Sequence, residues 1–179
     1  MRWLPFEIHP ETPPEGAPKP FSLEEWPQVR ARLERLAQEV GLPIDPPQRN
    51  VNSRFALETA ELVRAQKGDG EAGAFCHDVS RAFFTEHADI SKREVIVPIA
   101  ERLGISASDV ETAWHERRFS PAVDRRNDAA DRARASTSQR LTQEFLAAHP
   151  DDYYAHGYLG YIYLQMGDLA HAEEEYSRS

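Results

Sequence analysis

Cys76 and His77 are the first neighbours in this sequence whose side chains could do chemistry together, because a cysteine beside a histidine base is an activated nucleophile. Their spacing works against that use. Adjacent residues of a helix point about 100° apart, and cysteine is among the residue types most often buried, so a structural thiol is the simpler reading. Cys76 is also the only cysteine, which excludes an internal disulfide, a C-x-x-C redox pair and a multi-cysteine zinc site. Glu7 and His9 lie two apart and would share one face of a strand, as two metal ligands could. Two ligands do not make a site, and His77, His87, His115, His149, His156 and His171 follow no ligand spacing such as H-E-x-x-H. No catalytic residue, metal or cofactor is assigned.

Two further groups invite a binding role. Asn52-Ser53-Arg54 opens a helical pattern, where a side-chain oxygen caps free backbone N–H groups. The aromatics Trp3, Phe6, Trp26, Phe83, Phe84 and Trp114 could line an apolar groove or simply fill a core. The run Glu173-Glu174-Glu175 reads as a solvated helix face.

The elements that must position these groups are mostly helices. Arg2 to Ile8 reads as a strand, ended by Pro10, Pro13, Pro14 and Gly16, and no second segment reads clearly as one. Ser22-Leu23-Glu24-Glu25 has the form of a capping box, but Pro27 also allows a helix starting at itself; Val29, Leu33, Leu36, Ala37 and Val40 then recur at helical spacing up to Gly41. Residues 42–50 are a loop. Asn52 or Asn50 caps a helix through Phe55, Leu57, Ala60, Leu62 and Val63, which breaks at Gly68-Asp69-Gly70. A third helix runs from about Glu71. Ser91 with Glu94 starts a fourth, kinked at Pro98 and ended by Gly104, and Ser106 with Asp109 opens a fifth. Ser120-Pro121 starts a sixth, expected to about Ala135 and continuing as helix through Leu141.

The chain has 179 residues and a net charge of −9, with 30 acidic against 21 basic side chains. This balance argues against nucleic acid as a partner, which needs a basic face. No apolar run is long enough for a membrane span and no secretory signal is visible, so the cytoplasm is the expected location.

The order Trp3 to Gly16, Gly41-Leu42-Pro43, Asn52 to Glu58, Phe83-Phe84 with Asp89-Ile90, and Ala100 to Ile105 resembles the FrnE-like branch of the DsbA family. These are thioredoxin-fold thiol-disulfide oxidoreductases with a helical insertion. The resemblance covers residues 1 to about 134. From there His156, Leu159-Gly160, Tyr163, Gly167-Asp168, Ala172 and Tyr176 resemble a tetratricopeptide repeat, with His156 in place of the usual Trp, over about 138 to 179. Pro150 falls where a preceding repeat would close.

The expected fold is therefore mainly α: one leading strand, then the helical insertion domain of a DsbA-type thioredoxin fold (1–135), then an incomplete tetratricopeptide-like hairpin (138–179). The resemblance implies disulfide exchange on a protein or small thiol substrate, with Asn52, Phe6 and Trp3 bordering the substrate cleft. The family's C-x-x-C would precede the strand that opens here and its cis-proline strand would follow about Ala135, so the chain is expected to be a part of such an enzyme and inactive alone. The alternative is a non-catalytic protein-interaction module, binding a peptide through the repeat segment and the aromatic helical groove.

Overall fold

The computed structural model describes residues 6–19, 24, 26–39, 41, 45, 47 and 49–179. In chain order these form β1 (Ala17–Pro18), α1 (Trp26–Glu39), β2 (Arg49–Asn50), α2 (Arg54–Lys67), α3 (Asp69–Phe84), α4 (Arg93–Arg102), α5 (Ala107–His115), α6 (Ser120–Ala148), α7 (Tyr153–Gln165) and α8 (Leu169–Tyr176). The fold is mainly helical, as its periodicity predicts. The chain divides into two compact units, Met1–Arg126 and Asn127–Ser179.

The strand expected at Arg2 to Ile8 needs correction where it can be seen: Phe6, Glu7 and Ile8 form no strand, and residues 1–5 lie outside the described residues. The sheet is instead β1 paired antiparallel with β2, Ala17 opposite Asn50 and Pro18 opposite Arg49. A two-residue pairing leaves no alternation in the sequence to read. It depends on Gly16, whose φ is +78°; a Cβ there would lie 2.7 Å from the Asn50 carbonyl oxygen.

Several helix starts differ from expectation for local reasons. α1 adopts the proline alternative, with Pro27 in its first turn where a missing N–H costs no helical bond; Ser22, Leu23 and Glu25 of the capping box lie outside the described residues. α3 starts at Asp69, two residues before the expected Glu71, and both acids sit favourably in its first turn. Ser91 does not cap α4. Its N–H and hydroxyl both donate to Asp89 Oδ1, at 3.0 and 2.6 Å, and Lys92 holds the cap position. Ser106 does cap α5, accepting from the Asp109 N–H at 3.1 Å.

In the first unit α2 packs against α3, α4 and α5. Leu62, Val63, Phe75, Ile96 and Val110 are almost fully buried there, each large side chain contributing about 1.5–3 kcal/mol. In the second unit α7 packs on α8 around Leu146, Leu159, Tyr163 and Ala172. Gly160 permits this contact: a Cβ at that position would lie 3.1 Å from the Tyr176 ring. His156 is buried beside them, its Nδ1 2.6 Å from Glu175 Oε2 and its Nε2 2.8 Å from the Pro150 carbonyl oxygen. No helix among the described residues is long and apolar enough to cross a membrane.

Candidate functional site

The start of α2 anchors the N-terminal segment. Asn52 Oδ1 accepts from the Arg54 N–H at 3.0 Å, while its Nδ2 donates to the Thr12 carbonyl at 2.6 Å. Ser53, not Asn52, stands at the cap position of α2 and makes no side-chain cap bond. Arg54 ties in more of the chain. Its Nη1 donates to Glu7 Oε2 at 2.9 Å, its Nε to Glu58 Oε1 at 2.9 Å, and its Nη2 to Asp124 Oδ1 at 2.6 Å and to the Ser120 carbonyl at 3.1 Å. Burial opposes the charge on Arg54, but the bonds to Asp124, Glu7 and Glu58 outweigh it and raise its pKa further. Glu58 also accepts from the Ser120 hydroxyl at 2.6 Å and lies 3.3 Å from Arg117 Nη2.

Held in this way, the N-terminal segment forms one wall of a cleft of about 520 Å³. Phe6 and Ile8 face it from that segment, Leu57 and Ala60 from α2, Phe75 and Phe83 from α3. Phe6 and Phe84 remain partly exposed at it, and Phe83 meets Phe84 edge-on with ring centroids 4.8 Å apart. The surface is mostly apolar with a few polar groups, the usual composition of a small-molecule or peptide site.

The structure brings together some of the residues singled out in the sequence. Phe6, Phe83 and Phe84 share the cleft, whereas Asn52 stands one residue from its lining residues Val51 and Ser53 with both ends of its amide committed. Trp114 belongs to the core, with its indole N–H on Thr59 Oγ1 at 2.9 Å and its ring 4.9 Å from that of Phe55. Trp26 carries the Lys19 ammonium 5.0 Å from its ring centroid. Trp3 lies outside the described residues.

Cys76 also lines the cleft. Burial pushes its thiol pKa up, partly countered by the charge of Arg64, so the neutral thiol prevails near neutral pH. His77 does not serve as its base: that side chain is 78% exposed and its Nδ1 lies 3.8 Å from Asp78. Among the described residues no group of His, Cys, Asp and Glu could hold a metal ion. The features that sequence reading missed are Arg54 as a part-buried hub and Lys19 as a basic residue lining the cleft. An Arg54–Glu58 pair at i,i+4 reads as an ordinary helix surface pair, and Lys19 sits among prolines with no periodicity to place it.

The model of one family, the DSBA-like thioredoxin domain, matches residues 1–136. No curated protein and no solved structure matches the chain.

Proposed function

The chain belongs to the DSBA-like thioredoxin domain family, and from that premise we propose that its first unit is the substrate-binding helical part of a FrnE-like thiol-disulfide oxidoreductase. The observation that carries this reading is the apolar cleft between Phe6, Leu57 and Phe83. It suits the exposed side chains of an unfolded protein or the body of a small thiol. Exchange itself takes two cysteines, one to attack and one to resolve the mixed disulfide. Cys76 is alone, and its raised pKa makes it a poor nucleophile, so this sequence binds without exchanging. Phe6 is assigned to the substrate side of the cleft, and Asn52 to its border.

The test has two readouts. Titrated with S-carboxymethylated insulin B chain, an unfolded apolar peptide without thiols, the protein should show saturable binding that Ser80→Phe weakens at least tenfold. In dithiothreitol it should not accelerate insulin reduction. Acceleration would overturn the non-catalytic assignment, and absence of binding would overturn the substrate-binding one.

A second reading rests on the second unit. We read residues 138–179 as a tetratricopeptide-like hairpin, supported by the Gly160–Tyr176 contact and by the burial of Leu159, Tyr163 and Ala172. Tyr154, Tyr158 and Tyr161, at i, i+4 and i+7 of α7, are 83%, 51% and 51% exposed, a stripe that fits a peptide-binding face. Peptides selected against the full chain should lose affinity with Tyr158→Ala; selection that returns only peptides indifferent to this change would remove the reading.

A further inference from the structure

The cleft has a chemical polarity that its apolar walls do not require. Its ionisable lining groups among the described residues are His9, Lys19 and Cys76, with no Asp or Glu. His9 is already matched, with its Nδ1 3.2 Å from Glu11 Oε1, and Cys76 is held neutral by its raised pKa. Lys19 has no carboxylate partner among the described residues. Its ammonium sits over the face of Trp26, 5.0 Å from the ring centroid, a contact that leaves its N–H donors unspent. Burial without a counter-charge costs an ammonium its hydration, and it pulls the Lys19 pKa down accordingly.

We infer that the cleft takes a small amphipathic monocarboxylate, with its apolar body among Phe6, Leu57, Phe75 and Phe83 and its carboxylate on the Lys19 ammonium. This deepens the substrate-binding reading above and rests on it. A volume of about 520 Å³ lies within the range of small-ligand pockets. A single unmatched cation answers a monoanion; a phosphate would call for several donors, as at a helix N-terminus or an arginine fork. A carboxylate gains both a hydrogen bond and an opposite charge there, whereas an alcohol of the same chain length gains the hydrogen bond alone.

The probes are decanoate, decanol and decyltrimethylammonium, each below its micelle concentration, titrated into the full chain and followed by tryptophan fluorescence with calorimetry as a check. Decanoate should bind at least tenfold more tightly than decanol, and the cation should bind most weakly. Lys19→Met keeps the apolar stem and removes the charge, so it should weaken decanoate far more than decanol and bring the two to similar affinity. Ser80→Phe, placed at an exposed lining position, should weaken both. Equal affinity of decanoate and decanol in the unaltered protein, or a preference that survives Lys19→Met, would overturn the carboxylate assignment. If no decyl probe binds while the carboxymethylated peptide does, this inference fails and the substrate-binding reading stands. If neither binds, both fail.

Discussion

Replacing Arg54 with Met should be among the most damaging single changes in the first unit. The guanidinium is 16% exposed and bonds to Glu7 and Glu58, which are 5% and 1% exposed, so its loss takes a charge-assisted bond from each of two buried carboxylates. Breaking a buried pair by removing one partner costs about 3–5 kcal/mol, against about 0–1 kcal/mol for a surface pair. Two features pull the estimate toward the lower end. Asp124 is 59% exposed and regains water, and Glu58 keeps the Ser120 hydroxyl and Arg117. A loss of about 3 kcal/mol follows, roughly a hundredfold in the unfolding equilibrium. Denaturant unfolding followed by tryptophan fluorescence would measure it, since Trp114 packs on Phe55 within the same unit. Glu58→Gln on the Arg54→Met background should recover about 1–3 kcal/mol of what additivity predicts, because a neutral amide needs no counter-charge. A cost below about 1 kcal/mol for Arg54→Met, or additive behaviour of the pair, would refute the idea of a part-buried hub.

Asn52→Ala should destabilise the first unit by about 1–3 kcal/mol, as both amide bonds vanish, and should speed proteolysis within residues 6–19; an unchanged cleavage pattern would show that the Thr12 bond does not hold the segment. Cys76 should react slowly with a disulfide reagent at pH 7 and faster once the pH passes the ordinary thiol range of about 8.5, whereas denatured chain should react at the normal rate; fast native reaction would remove the buried-thiol assignment. His156 gives a pH test. Its folded pKa is raised, first by Glu175 and then by the Pro150 carbonyl, so its contribution is complete below the unfolded value of about 6.5 and is lost as pH rises through the folded value. Thermal melts of the second unit should therefore fall over that window in the natural protein and stay flat there with His156→Gln.

What the sequence made legible was whatever depends on period and punctuation. Helical spacing placed α1 to α5, Ser106 announced its own cap, and α6 began one residue before the expected Pro121, with the Ser120 hydroxyl on Glu58, because those signals act within a turn or two of the residues that carry them. The illegible parts depend on partners distant in sequence. Ser91 spends its hydroxyl as a donor to Asp89 while Lys92 takes the cap position, a diversion that the S-x-x-E spacing does not reveal. β1 and β2 pair across more than thirty residues for two residues each, which leaves no alternation to detect. Glu58 and Glu61 look like solvent-facing charges of an amphipathic helix, yet both are buried because Arg54 and Arg126 meet them from other elements or turns.

The same long-range charges explain how the cleft keeps its shape. One of its walls is a segment with no helix and only two residues of strand, so neither periodicity nor a ladder holds it. The Arg54–Glu7 pair fixes it beside Phe6, Asn52 fixes it at Thr12, and the β1–β2 pairing fixes it next to Lys19. These three ties all start from residues 49–54, immediately before and within the first turn of α2, so the anchor and the cleft floor belong to one rigid piece of chain. A change in that stretch should therefore alter ligand affinity through the position of the wall, even where the altered side chain never meets the ligand, and Asn52 bears on the cleft in that indirect way.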